Sequence, residues 1–268
     1  MNFYPRNDSS SDRTLHYNTI LKIAASLCCL STALQFHRFS STSFSYFYNY
    51  LGYSEYFCNQ LDLFFIGAMT VTAVSVWFKS VIASIFCILG SLVFLTEAVA
   101  QTIYPPEMTA IFTFVSHSIR FILPIYIVVL HSTKGVERLN LLSIAIACTF
   151  CGHGLQALYE APPFLDYLLA FFYDINIPIE QRSGIRLLHV IGVIDIVVAC
   201  HVIFQSWNRL KWYLGFMATW GFISAMARVT FSGWGAWHEI TLRAPHFLVP
   251  IALLLFVIQM DSKRCVSK

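Results

Sequence analysis

Long apolar runs separated by short polar stretches make up most of this chain, and none of the runs alternates apolar and polar residues with period two. Each covers about 16 to 24 residues, enough for a helix to cross a hydrocarbon core of roughly 30 Å. The pattern predicts eight spans, at 20–36, 61–78, 81–104, 108–130, 139–159, 185–204, 212–230 and 237–260. Backbone groups in lipid must bond within their own segment, so helices are expected rather than a barrel. The predicted fold class is all-α: a polytopic membrane helix bundle of about eight spans.

Composition agrees with the pattern. Hydrophobic residues make up 57% of the 268, charged ones 12%, and mean hydropathy is +0.64. A soluble domain carries about 25% charged residues, so there is too little polar surface here to keep a globule in water. The lipid bilayer is therefore the first expected partner. The net charge of +3 comes from basic residues scattered singly or in pairs, which excludes a nucleic-acid surface. Of the eight cysteines, Cys28, Cys29, Cys87, Cys148, Cys151 and Cys200 fall inside apolar runs and read as small hydrophobes. Cys58 and Cys265 sit in hydrophilic flanks on opposite sides, so no disulfide framework is expected. The start of the chain is polar as far as Asn18 and lacks a cleavable h-region.

Lysine and arginine placement sets the expected orientation. With a cytoplasmic N-terminus, that side receives every lysine together with Arg6, Arg13, Arg138, Arg209 and Arg264, while Arg38, Arg120, Arg182, Arg186, Arg228 and Arg243 fall toward the outside. Both termini are thus expected in the cytoplasm and the protein in a plasma (inner) membrane. Cytoplasmic tails at 1–19 and 261–268 would flank two four-helix units at 20–131 and 139–260.

The two units are suggested by an internal echo. Each has a long aromatic connection after its first span, carrying Tyr46, Phe47 and Tyr48 in one case and Phe164, Tyr167, Phe171 and Phe172 in the other. Tyrosine-rich segments beside spans favour the headgroup layer, so both connections read as outer interfacial segments. Leu34-Gln35 matches Leu155-Gln156, and Ile66-Gly67 matches Ile191-Gly192. The last spans match best: His117, Arg120, Phe121 and Pro124 against Arg243, His246, Phe247 and Pro250. Units with an even number of spans would share one orientation, related by an axis along the membrane normal.

Ionisable groups inside a span are costly and usually face the bundle interior. At about 1.5 Å per residue, Glu97, His117, His153, His189 and His246 fall in one layer beneath the outer face, with Arg228 and Arg243 slightly shallower and Arg120 slightly deeper. Helical spacing adds Gln156 and Glu160 to the His153 face. Prolines 124 and 250 are expected to kink the last helices and open room beside the cluster. The expectation is an outward-facing ligand pocket lined by these ten residues, with Asp195 deeper as a step on a proton path. Against it stands a structural role, in which the same groups pair only to fix helix register. No metal site is predicted. Haem held by two of the histidines fits the depths, but a hydrogen-bonded network is favoured over it. Cys148 and Cys151 have redox spacing but no nearby base, and read as structural.

The stretch 152–228 resembles the DoxX family of small four-helix membrane proteins. The resemblance lies in Gly152-His153-Gly154-Leu155-Gln156-Ala157-Leu158, the Phe/Tyr stretch, Leu187-Leu188-His189-Val190-Ile191-Gly192-Val193-Ile194-Asp195, and a third helix ending in Ala227-Arg228. Asp195 stands where that family tends to have glutamate, and the unit is doubled here. The resemblance implies a subunit of a quinone-linked or thiol-linked redox system, working with a partner redox protein. A quinone is then the expected ligand, its head group held by the arginines and histidines. A proton-coupled or small-anion transporter and a purely structural partner subunit are the alternative readings.

Overall fold

Apolar runs bounded by serine caps become helices whose ends can be read from the sequence. In the computed structural model, which describes residues 9–104, 110–132, 137–204 and 207–266, twelve helices follow one another and no strand occurs among the described residues. They are α1 (Ser9–Phe39), α2 (Thr42–Ser45), α3 (Glu55–Ser75), α4 (Val81–Ile103), α5 (Thr113–Ser116), α6 (Ser118–Ser132), α7 (Glu137–Leu158), α8 (Pro162–Asp174), α9 (Gln181–Phe204), α10 (Trp207–Ser232), α11 (His238–Leu242) and α12 (Ala244–Val266). The hydroxyls of Ser54 and Ser80 accept from the amides of Phe57 and Ala83 and so start α3 and α4.

Seven helical segments are long and apolar enough to cross a membrane. An eighth is completed if the bent pair Trp234–Leu242 and Ala244–Met260 is one broken span. The chain is therefore an integral membrane protein of seven or eight crossings. Its outward faces are apolar, as lipid requires: Val81, Ile82, Ile85, Ile88 and Leu92 are exposed along α4, and Val190, Val193, Ile194 and Val197 along α9. The first helix starts earlier than predicted, at Ser9 rather than near residue 20. Residues 1–8, 133–136 and 267–268, which carry part of the predicted tails and Lys134, lie outside the described residues.

The helices pack in a consistent order. α1 lies along α3 and α12, α7 along α9 and α6, α4 on α6, and α10 on α12. The main core forms where α1, α6, α7, α10 and α12 meet, around Leu21, Ile127, Leu142, Leu214 and Leu253. Within it the hydroxyls of Tyr17 and Tyr126 bond at 2.8 Å. A second cluster, with Cys29, Met69 and Phe94, joins α1, α3 and α4. Cys58, expected in a hydrophilic flank, is fully buried on α3, and all described cysteines are free.

The two aromatic connections are ordered into helices. The first runs through α2 into a π-helical turn, Tyr46–Tyr50. The second forms α8, with prolines at its first positions, where no amide partner is needed.

Both last spans break at matching residues. His117 separates α5 from α6 with φ −95° and ψ 2°, and Arg243 separates α11 from α12 with φ −97° and ψ 10°. The second break bends the span by 45°. The breaks thus fall at the basic residues, seven positions before the prolines expected to cause them, and Pro124 and Pro250 both lie inside unbroken helix. A break inside lipid needs partners for the freed backbone groups. Thr149 on α7 accepts from the amide of Ile119 at 3.0 Å, and Cys28 on α1 donates to the carbonyl of Leu242 at 3.2 Å. At the second break Pro245 has no amide to satisfy.

Candidate functional site

The predicted layer of polar residues divides between two cavities. The larger, about 410 Å³, lies in the second half between α7, α8, α9, α10 and α12, within the roughly 300–1,000 Å³ range of small-molecule sites. His153, Asp195, Arg228, Arg243 and His246 line it. The rest of its wall is almost all apolar: Phe164, Leu168, Phe171 and Phe172 from α8, Leu187, Leu188 and Ile191 from α9, Trp220, Ile223 and Ala227 from α10. The smaller cavity, about 40 Å³, lies in the first half and is lined by Glu97, His117 and Arg120 together with Thr32, Gln35, Phe36 and Gln101.

Space in the second half comes from small side chains facing large ones. Ala157 and Ala227 stand opposite the aromatic face of α8, and Gly221 brings α10 close to α12. A Cβ on Gly221 would come within 2.6 Å of the His246 carbonyl oxygen. That carbonyl lacks its usual helical donor because Pro250, four residues on, has no N–H.

The polar groups of this cavity form three sets. Arg243 is paired with Glu239 one turn back along the same span. Arg228 has no carboxylate partner among the described residues. Its guanidinium donates to the Tyr167 hydroxyl at 3.0 Å and stacks over the Tyr167 ring at 4.6 Å and the Phe164 ring at 5.9 Å. It thus tethers α8 to α10 while keeping a net positive charge at the cavity wall. Asp195 is 5% exposed, is reached by Trp220 from α10, and its Oδ1 has no hydrogen-bond partner in the structure.

The third set is a pair of imidazoles. His153 Nε2 and His246 Nε2 are 3.3 Å apart. His246 Nδ1 faces the Arg243 carbonyl at 3.3 Å and must donate to it, which makes its Nε2 an acceptor when the ring is neutral. His153 Nε2 must then carry the proton between the rings, and His153 Nδ1 must accept. Gln156 contacts Nδ1 through its oxygen at 3.2 Å and Thr113 Oγ1 through its nitrogen at 3.1 Å. Exchanging the amide's two ends satisfies the whole chain: Thr113 hydroxyl to Gln156 oxygen, Gln156 amide to His153, His153 to His246, His246 to the Arg243 carbonyl. A third ring proton on the pair would add charge beside two arginines, so the neutral chain is the favoured state.

The other predicted residues serve the scaffold or stand apart. Glu97 caps α2, accepting from the Thr42 amide at 2.6 Å, the Ser43 amide at 3.2 Å and the Ser43 hydroxyl at 2.8 Å. Asp62 holds the same segment by accepting from the Ser41 amide at 3.1 Å and from its hydroxyl. Arg120 is buried at 8% exposure with Nε unpartnered, facing the small cavity. Glu160 Oε1 and His189 Nε2 lie 3.1 Å apart, without hydrogen-bond alignment, and their side chains are 47% and 42% exposed. Neither lines the large cavity. No group of histidine, cysteine, aspartate and glutamate suited to a metal ion occurs among the described residues. Sequence reasoning missed Trp220, Ala157 and Ala227 as cavity residues; the one signal available was the aromatic face of α8.

The chain matches no protein-family model, no curated protein and no solved structure.

Proposed function

We propose that this membrane protein holds a small, mostly apolar molecule with a carbonyl or carboxylate head in the cavity of its second half. A quinone serving a membrane redox system is the specific candidate. The observation that carries the proposal is Arg228. A guanidinium without a carboxylate partner, on the wall of an apolar hollow, is a costly arrangement in a bilayer unless it serves a ligand oxygen. Arg243 and the His153–His246 pair lie on the same wall and add donors and a proton-bearing contact. The DoxX-like stretch 152–228 spans most of this cavity and is what points toward a redox partner.

A doubled four-helix unit accounts for the two cavities, which use matching positions. Phe36, His117 and Arg120 in the first half correspond to Ala157, Arg243 and His246 in the second, under the offsets set by the sequence echo. Phe36 and Gln101 fill the first site, and Glu97 locks the interfacial segment beside it. Alanines at 157 and 227 empty the second. In this reading one half became scaffold and the other kept, or gained, room for a ligand.

Trp220 provides the test. Decyl-ubiquinone added to the protein in lipid nanodiscs should quench tryptophan emission saturably. Trp220→Phe should remove the saturable part, and filling the hollow with Ala227→Phe should abolish it. Quenching that rises linearly with quinone and is unchanged by either substitution rejects the proposal.

A further inference from the structure

Besides Arg228 at its interfacial end, the large cavity has a polar feature at its other end. Asp195 lies six residues deeper along α9 than His189, and Trp220 lies eight residues before Arg228 on α10. At 1.5 Å per residue this sets the carboxyl and the guanidinium on the order of 10 Å apart along the bundle. The α9 and α10 wall between them is mostly apolar, with Leu188, Ile191 and Ile223, and its one hydroxyl, Ser224, donates to the Gly221 carbonyl of its own helix.

Asp195 is 95% buried by its 5% exposure, and its Oδ1 has no partner among the described residues. An orphaned oxygen in an apolar wall has given up its water partners without gaining a protein one. The Cβ side of Asp195 packs against Gly154 of α7 and Trp220 reaches it from α10, and it lines the cavity. An ionised carboxyl accepts through such an oxygen and a protonated one can donate from it, and a hydroxyl, being both donor and acceptor, satisfies either form. The other end presents donors only: the Arg228 guanidinium, with its positive charge uncompensated.

Resting on the ligand-site reading above, we propose that the cavity selects a bipolar molecule. It has an anionic or carbonyl oxygen for Arg228, an apolar chain or ring in the middle, and a hydroxyl at the far end for Asp195. Two ligand types that the ligand-site reading admits satisfy only the Arg228 end. A plain fatty acid or a quinone with an alkyl tail would leave Oδ1 unpaired against hydrocarbon.

The test uses three probes sharing one chain length: ω-hydroxydecanoate, decanoate and decanol. Binding to the protein in nanodiscs is read from the Trp220 part of the emission, as the difference between the natural chain and Trp220→Phe. The proposal predicts that ω-hydroxydecanoate binds about tenfold more tightly than decanoate, the effect of one satisfied buried hydrogen bond. Asp195→Leu should erase that preference, so that the two acids bind alike. Asp195→Asn, which keeps an acceptor oxygen, should retain part of it. Arg228→Gln should weaken both acids more than it weakens decanol. Equal affinity of the two acids for the natural chain overturns this inference and leaves the ligand site standing, with no variant needed. Failure of all three probes and of decyl-ubiquinone to bind the folded protein overturns both.

Discussion

His153 on α7 and His246 on α12 meet through their Nε2 atoms at 3.3 Å, and the backbone and amide contacts of their outer nitrogens leave one proton to be shared between them. The pair ties two spans that are far apart in sequence to a single cavity wall. The expected tautomers are Nε2–H on His153 and Nδ1–H on His246. Imidazole nitrogen NMR on selectively labelled protein should find these two forms, with neither ring doubly protonated at neutral pH.

Removing one member of the pair should cost more than its share. His246→Ala leaves the His153 N–H without its acceptor, and His153→Ala leaves His246 Nε2 without its donor. Each should destabilise the protein by about 1–3 kcal/mol. The double variant should cost less than the sum, with a coupling of about 0.5–3 kcal/mol. Thermal unfolding in detergent checks this; strict additivity would mean the rings do not interact.

Glu97 shared a predicted layer with these histidines, yet it works as a clamp on α2. Glu97→Ala removes the acceptor of three hydrogen bonds and should destabilise the first half by about 1–3 kcal/mol, while probe binding to the second-half cavity stays unchanged. A loss of probe binding in a protein that unfolds at the usual temperature would link the two cavities directly.

Gly67 and Gly192 occupy equivalent positions in the sequence echo but meet different surroundings. A Cβ on Gly192 would lie 2.7 Å from the Gly154 carbonyl oxygen, where α7 and α9 touch, whereas nothing lies within 4 Å of one on Gly67. Gly192→Ala should therefore separate two helices and cost about 1–3 kcal/mol, against a near-neutral Gly67→Ala. Comparing the two unfolding temperatures is sufficient.

The orientation expected from lysine placement has the connection between α10 and α11 outside and the start of α10 inside. On a cysteine-free background, Gly235→Cys should react with a membrane-impermeant maleimide added to intact cells, and Lys211→Cys only after lysis. The reverse pattern would invert the orientation.

The spans were legible because a run of about twenty apolar residues has few outcomes other than a membrane helix. The sites of the helix breaks were not legible: kinks were expected at Pro124 and Pro250, and the breaks fall at His117 and Arg243. Their cause was misassigned to the prolines, since the sequence does not reveal that Thr149 and Cys28 wait on neighbouring helices to take up freed backbone groups. Depth placed the ionisable residues in one layer. It did not fix their direction around each helix, so Glu97 and Arg120 went to one cavity and His153 and His246 to another. The hollow itself was hidden because Ala157 and Ala227 become empty space only once α8 is laid opposite them.

Mass measurement of the intact protein, gently extracted from its own membrane, tests most directly whether that hollow holds a ligand. The natural chain should carry one small organic molecule per polypeptide, released on activation, and Ala227→Phe should carry none. An adduct-free natural chain that also fails to take up decyl-ubiquinone or ω-hydroxydecanoate, or an identical adduct on Ala227→Phe, would contradict the assignment.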